Sequence, residues 1–207
     1  MNIISECIFN FPSKIGKRKS TFPWDITANI SKLILSQIKG LEDGFNIQKD
    51  IAIHSSAIVE KGAVLKGPII ISKNCFIAAN AYLRGGVFLG ENVRIGPSCE
   101  VKSSVILNDS TIAHFNFIGD SIIGNNVNFE AGAHTANQHN DRLNKEISVL
   151  WRGKVIKTNA NKFGSLIGDN SKIGANAVLF PGTILEKKSL VNRLELINQI
   201  RVESNNK

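Results

Sequence analysis

The stretch "VFLGENVRIGPSCEV", residues 87–101, places a branched aliphatic side chain at every sixth residue: Leu89, Ile95 and Val101. The same interval holds in both directions and gives an unbroken series of aliphatics. The series is Ile53, Val59, Leu65, Ile71, Ile77, Leu83, Leu89, Ile95, Val101 and Leu107. A fixed period of this kind is typical of repeat architectures, in which each unit packs on the next.

The period of six has a geometric cause. A short strand points one aliphatic inward, and a tight turn that uses Gly, Asn or Asp then directs the chain to the next face. Three such strands make one coil of about 18 residues. The pattern resembles that of the hexapeptide-repeat proteins, which implies an all-β, single-stranded parallel left-handed β-helix. Another all-β solenoid or a barrel is the alternative.

The repeat is interrupted twice. Its phase slips near residue 113, where Ile118 and Ile123 follow at shorter spacing. It then disappears between Asn137 and Lys162, and the segment "ISVLWRGKVI", residues 147–156, alternates apolar residues around Arg152 and Gly153. This alternation predicts a β-hairpin inserted into the scaffold.

The segments outside the repeat define the expected organisation. Residues 23–40 have apolar residues at helical spacing, with Asp25 as the expected N-cap and Gly40 as the stop. We expect an N-terminal helical appendage in residues 1–50, a β-helix in 51–186 with a loop excursion at 138–161, and a C-terminal tail in 187–207. The tail either continues as irregular strand or forms a short helix. Trp151 either packs within the hairpin or offers a surface on which a ligand stacks.

Composition limits the class of protein. The net charge of +8 comes partly from basic runs at 14–20 and 186–193, which are not interleaved with aromatics as a nucleic-acid groove would be. We expect solvated faces there, or a site for anionic small molecules, and no nucleic-acid partner. Three scattered cysteines predict reduced thiols, and no apolar run approaches the roughly 20 residues of a bilayer span. We therefore expect a soluble, cytoplasmic protein without a membrane partner.

One segment of the repeat also contains motifs with candidate catalytic and binding residues. "HFNFIGD", residues 114–120, is followed by "NVN" at 126–128, by Ala131–Gly132 and by "TAN" at 135–137. These motifs resemble the acetyltransferase domain of the bifunctional enzymes that make UDP-N-acetylglucosamine from glucosamine-1-phosphate, especially the archaeal form with its longer loop. The resemblance implies transfer of an acetyl group from acetyl-CoA to an amino-sugar phosphate of the glucosamine-1-phosphate or galactosamine-1-phosphate type. It makes His114 the general base and requires no metal.

The resemblance also implies binding residues. The substrate-binding set is Arg84, Lys102, Phe117, Asn128 and Lys162. The cofactor-binding set is Ala131, Gly132, Asn137 and Ala175. This chain departs from the family where Phe117 replaces a Tyr, where Glu130 and Ala133 replace a Gly and a Thr, and where Ala175 replaces a Ser. The resemblance further implies a homotrimer with active sites between subunits.

Three further expectations concern a partner and two alternative functions. The sequence has no Gly-rich nucleotidyltransferase loop, so a separate nucleotidyltransferase is a candidate partner. A catalytically silent β-helix that binds a sugar nucleotide or a protein is the alternative function. His134 and His139, five residues apart, also suggest a zinc hydrolase resembling the γ-carbonic anhydrases, but that site needs a third ligand, and His134 fits a structural role.

Overall fold

The computed structural model describes residues 3–13, 15, 22–41 and 43–200, so the basic run at 14–20 lies almost wholly outside the described residues. Two helices, α1 (Ile3–Cys7) and α2 (Pro23–Ile38), precede the strands. The first strands are β1 (Phe45–Gln48), β2 (Ile51–His54), β3 (Ile58–Val59), β4 (Val64–Lys66), β5 (Ile69–Ile71), β6 (Phe76–Ile77), β7 (Tyr82–Leu89), β8 (Arg94–Ile95), β9 (Glu100–Ile106), β10 (Thr111–Ile112) and β11 (Phe117–Gly119). The others are β12 (Ile122–Ile123), β13 (Asn128–Phe129), β14 (His134–Thr135), β15 (Ser148–Trp151), β16 (Lys154–Lys157), β17 (Ser165–Ile167), β18 (Lys172–Ile173), β19 (Val178–Leu179), β20 (Thr183–Leu185), β21 (Leu190–Val191) and β22 (Leu196–Ile197).

These strands wind into coils with three faces, each a stack of parallel strands. The first face contains β2, β5, the end of β7, the end of β9, β12, β17 and β20. The second face contains β3, β6, β8, β10, β13, β18 and β21. The third face contains β4, the start of β7, the start of β9, β11, β14, β19 and β22. The predicted left-handed parallel β-helix is therefore confirmed.

The aliphatics of the repeat form one internal column, which is why the period fixes the fold. Ile71, Ile77 and Leu89, for example, are fully buried in the same cluster. The corner residues between strands adopt left-handed backbone angles at the same interval of six: Asn74, Asn80, Gly86, Asn92 and Ser98. Asparagine and glycine tolerate this region better than other residues, which explains their regular appearance in the repeat.

The phase slip occurs earlier than the sequence indicates. Leu83 pairs with Val101 at a spacing of 18 residues, but Val87 pairs with Ser104, because two corner residues in one coil face one in the next. Ile106 therefore takes the place in the column that the repeat assigned to Leu107. Leu107 packs in a second cluster on the outside of the first face, so its assignment to the column was wrong.

The second cluster lies between the outside of the first face and the segments that cover it, which we call the internal cover. Helices α1 and α2 and the inserted hairpin bury the outer side chains of the first face, such as Ile70 and Leu166. Helix α2 begins at Pro23, so Asp25 is its third residue and not the expected N-cap. The Asp25 carboxylate accepts the Phe22 N–H at 3.3 Å, which still satisfies a donor at the helix start.

The inserted hairpin is present as predicted. β15 and β16 pair antiparallel around Arg152 and Gly153, whose φ angles are +48° and +73°. Trp151 is 3% exposed in the second cluster, which supports its packing role. The Arg152 guanidinium lies 2.5 Å from the Glu6 carboxylate, so an ion pair joins the hairpin to α1.

The coils continue past residue 186, where we expected the β-helix to end. β21 and β22 pair with β18 and β19, and Val191 is buried in the column. The segment 190–197 is thus strand, and no helix forms between 187 and 200.

Glycine at the corner after an aliphatic permits close stacking, which generates a prediction. A Cβ on Gly96 would overlap the Ala113 carbonyl oxygen of the next coil, whereas a Cβ on Gly40 would meet nothing within 4 Å. We expect Gly96→Ala to lower the free energy of unfolding by at least about 2 kcal/mol, since a backbone carbonyl must move. Gly40→Ala should stay within about 0.5 kcal/mol of wild type. Urea unfolding followed by circular dichroism measures both, and equal midpoints would contradict this account of the stacking.

Candidate active site

A cluster of polar side chains lies at the corner between the third and first faces, which we call the Asp120 corner (residues 84–86, 102–103, 119–121, 137 and 162–164). The Asp120 carboxylate oxygen Oδ2 accepts hydrogen bonds from Lys102 Nζ at 2.6 Å and from Asn137 Nδ2 at 2.5 Å. The side chains of Lys102 and Asp120 are only 15% and 9% exposed. The cluster is thus a nearly buried charge pair with an amide beside it, a costly arrangement unless each group has partners.

The excursion brings Lys162 to this corner. The Phe163 N–H donates to the Asn137 carbonyl at 3.0 Å, and the Gly164 N–H donates to the Asp120 carbonyl at 2.9 Å. The chain therefore leaves and re-enters the β-helix at the same corner. Lys162, next to Phe163, is exposed there.

Arg84 stands one coil before Lys102 in register, as their predicted common role requires. Its Nε donates to Glu100 Oε1 at 2.7 Å, and its guanidinium lies 5.7 Å from the centre of the Tyr82 ring. Both predicted anion-binding residues therefore face the same end of the third face, and each is paired with a carboxylate of the chain.

Phe117 extends toward this cluster. A Cβ on Gly119 would lie 2.6 Å from Phe117 Cζ and 2.9 Å from Asn137 Nδ2, so the ring passes close over the glycine backbone. Gly119 is therefore needed for the ring to reach this place. Phe117 is half-buried between Glu100 and His134 on the neighbouring strands.

Fully buried hydroxyl groups support the corner from below. The Gly119 N–H donates to Thr135 Oγ1 at 3.0 Å, and the Ser121 hydroxyl donates to the Gly119 carbonyl at 2.7 Å. The Ser121 and Ser165 N–H groups in turn donate to Ser104 Oγ and Ser121 Oγ, each at 3.0 Å. Because these bonds satisfy backbone donors inside the fold, they fix the backbone that carries Asp120.

His114 lies at the other end of the third face, at the corner with the second face, which we call the His114 corner (residues 79–80, 97–98, 114–116, 131–133, 175–177 and 193–195). The His114 ring is exposed. Its carbonyl accepts the Gly132 N–H at 2.8 Å, and the Ala131 carbonyl accepts the Asn176 N–H at 2.9 Å. The predicted base and the predicted cofactor residues Ala131, Gly132 and Ala175 thus follow one another along three coils.

The structure separates the predicted residues into two groups. Arg84, Lys102, Phe117, Asn137 and Lys162 belong to the Asp120 corner or the third face beside it. Asn137, predicted to bind the cofactor, lies with the substrate group and not with Ala131. Asn128 reaches neither corner: it is exposed on the second face between Thr111 and Lys172, at the edge of a cavity of about 220 Å³. A three-residue strand spans roughly 10 Å, so the two corners of one chain are separated by that width.

Two interactions were not visible in the sequence. In the sequence Asp120 is only the last residue of the motif at 114–120, although its carboxylate joins Lys102 to Asn137. Glu130 accepts bonds from Arg193 Nε and from a second Arg193 guanidinium nitrogen, each at 2.7 Å, and from the Ala175 N–H at 2.9 Å. The Arg193 guanidinium, assisted by that N–H, lowers the pKa of Glu130 to about 2. Glu130 and Arg193 are 63 residues apart, so only the coil register reveals the pair.

The two histidines that suggested a metal site have different surroundings. His134 is exposed on the third face, whereas His139 is 9% exposed, and burial lowers the pKa of its ring. Within the described ranges, no three His, Cys, Asp or Glu side chains come together as a metal site would require. Neither of the two helices seen there has the length and apolar character needed to cross a membrane.

Cys7 and Cys75 lie outside both corners, whereas the Cys99 thiol lies beside the His114 corner and accepts a hydrogen bond from Asn116 Nδ2 at 3.9 Å. Cys7, Cys75 and Cys99 are free and buried. Burial raises the pKa of Cys7 to about 12 and that of Cys75 to about 11, so these thiols stay protonated near neutral pH.

Two family models match the chain. The one described as "GMPPB C-terminal domain" matches residues 65–150, and "Hexapeptide repeat of succinyl-transferase" matches residues 166–192. A solved structure of a mutant of AntD, an N-acyltransferase from Bacillus cereus, in complex with dTDP and coenzyme A, shares 14% identity with a TM-score of 0.35. The similarity covers 76% of this chain and 81% of the AntD chain.

Relatives with higher identity come from archaea. The bifunctional protein GlmU of Methanococcus maripaludis strain C7 is 45% identical over 185 residues, which are 85% of this chain and 43% of the relative. The bifunctional sugar-1-phosphate nucleotidylyltransferase/acetyltransferase of Sulfurisphaera tokodaii is 38% identical over 165 residues, which are 77% of this chain and 41% of the relative. The chain thus spans less than half the length of these relatives. The repeat and the coils make this chain a hexapeptide-repeat β-helix, and it is similar to one part of the archaeal bifunctional proteins named GlmU.

Proposed function

We propose that this protein transfers an acetyl group from acetyl-CoA to the amine of an amino-sugar 1-phosphate, of the glucosamine or galactosamine type, with His114 as general base. The observation that carries the proposal is the Asp120 corner, where Lys102 and Asn137 both donate to the Asp120 carboxylate while Arg84 and Lys162 lie nearby. Three cations at one end of a face suit a sugar phosphate, and an exposed His at its other end suits proton transfer. The name of the Sulfurisphaera relative, which includes sugar-1-phosphate and acetyltransferase, supports the same substrate class.

The chemistry follows from these positions. The amine nitrogen attacks the thioester carbonyl carbon, and His114 takes the proton that this nitrogen releases. The carbon–sulfur bond then breaks, and coenzyme A leaves as the thiol after it receives a proton. The backbone N–H of Ala131 stabilises the oxyanion, since that of Gly132 is bonded to the His114 carbonyl, and no metal takes part. Arg84, Lys102 and Lys162 bind the phosphate and orient the sugar, with Phe117 against its ring.

A second and a third copy of the chain complete the site in this proposal. Helices α1 and α2 and the hairpin cover the first face, which leaves the second and third faces open to a partner. A threefold axis beside them brings the His114 corner of one copy to the Asp120 corner of the next. We also propose that the trimer works in the cytoplasm and receives or supplies its sugar phosphate through a separate nucleotidyltransferase.

His114 gives the first test. We expect His114→Ala to lower kcat about 10²- to 10⁴-fold with little change in KM, because the amine loses its base. The measurement is thiol release from acetyl-CoA with glucosamine-1-phosphate and with galactosamine-1-phosphate. His54→Ala, on β2 at the start of the β-helix and outside both corners, is the control and should retain wild-type rates. If wild type and His114→Ala are equally inactive with every amino sugar, the acetyltransferase proposal fails and the alternative of a non-catalytic binding β-helix takes its place.

Lys102 gives the second test. Lys102→Met keeps the aliphatic stem but removes the cation, so we expect KM for the sugar phosphate to rise at least about tenfold, with a smaller effect on kcat. Lys66→Met is the control, because Lys66 is exposed two coils earlier in the same row. Thermal unfolding of both variants shows whether the fold is intact. An unchanged KM in a folded Lys102→Met protein would place the phosphate elsewhere.

Assembly gives the third test. We expect sedimentation velocity to show a trimer, since the two corners of one chain lie at opposite ends of the third face. A fully active monomer would contradict a site shared between copies.

A further inference from the structure

The Glu130–Arg193 pair lies on the coils where the proposed acyl donor would bind. Glu130 immediately precedes Ala131 and Gly132, and Gly132 is bonded to the His114 carbonyl. The Glu130 carboxylate accepts the Ala175 N–H of the following coil at 2.9 Å. Arg193, one coil further on, donates to the same carboxylate and holds it there. A backbone donor next to the proposed cofactor residues is therefore already occupied by a side chain of the protein.

The chain contains an internal comparison for this contact. Glu60 stands at the equivalent corner of the first coil, and its carboxylate accepts the Ala79 N–H at 2.8 Å. A glutamate can therefore satisfy a corner N–H as a structural feature alone. Glu130 differs because it also carries the bidentate bond from Arg193 and lies one coil from His114.

Water reaches both side chains of the pair. The Glu130 side chain is 35% exposed and that of Arg193 is 74% exposed, so neither is locked by packing. Exposed ion pairs contribute little to stability, because water solvates both partners when they separate. A phosphate group offers Arg193 a bidentate partner with more negative charge than a carboxylate.

We propose that Glu130 and Arg193 form a gate on the acyl-donor site, in which coenzyme A displaces the Glu130 carboxylate from the Ala175 N–H and Arg193 then binds its phosphate groups. The gate rests on the proposed function, since it assumes that coenzyme A binds along the His114 corner. It assigns Arg193 as a further cofactor-binding residue and Glu130 as the group that competes with the cofactor.

The test measures binding, without turnover. Calorimetry gives the affinity of coenzyme A for wild type, Glu130→Ala, Glu60→Ala and Arg193→Ala, and NMR titration of the Ala175 amide gives the affinity of pantetheine, which lacks phosphate. We expect Glu130→Ala to bind both molecules at least threefold more tightly, and Glu60→Ala to match wild type. Arg193→Ala should bind coenzyme A at least fivefold more weakly and lose no affinity for pantetheine.

Three other results would contradict the gate or the proposed function. If Glu130→Ala tightens coenzyme A but not pantetheine, removal of a negative charge explains the effect and the gate is wrong. If wild type and all variants bind coenzyme A equally, the gate fails while the proposed function stands. If none of the proteins binds coenzyme A, the proposed function fails, and the gate with it.

Discussion

Parallel hydrogen bonding between successive coils is the constraint on which the rest of this structure depends. Each short strand is bonded to the strands of the coils on either side, so corresponding residues must recur at a fixed interval. An aliphatic every six residues fills the column, and left-handed corners at the same interval let the chain turn. Where the interval falls to 17 residues, at Val87 and Ser104, buried serine and threonine hydroxyls satisfy the backbone donors of the altered corner. The Asp120 cluster lies directly on this altered backbone.

The sequence predicted what is local and periodic. Branched aliphatics and glycines gave the coils, and the alternation around Arg152–Gly153 gave the hairpin. The motif beginning at His114 predicted residues that do lie on neighbouring coils.

Errors arose where tertiary contacts decide between adjacent residues. Ile106 fills the column in place of Leu107, because the count of corner residues changes by one. Asp25 is not the N-cap because the helix already begins at Pro23, two residues earlier. The Glu130–Arg193 pair joins residues whose proximity only the register across the excursion defines.

The internal cover gives the three faces different roles. The first face is apolar on its outside and is buried by α1, α2 and the hairpin, which makes a second core within one chain. Helix α2 also reaches the Asp120 corner, where the Ser31 hydroxyl donates to the Gly85 carbonyl at 3.0 Å, next to Arg84. Helix α2 thus supports the Asp120 corner, although the residues of that corner follow Ser31 by more than 50 positions.

The excursion has an evolutionary consequence. Corresponding residues lie 44 positions apart across it, as Ser121 and Ser165 do, yet the strands before and after it remain in register. Because the chain departs and returns at one corner, residues can be added or removed there without moving any other coil. An insertion or deletion at this place would lie at the border of the Asp120 corner. A descendant of this protein could change the exposed part of the excursion, and with it the surroundings of Lys162, as long as buried hairpin residues such as Val149 and Trp151 still cover the first face.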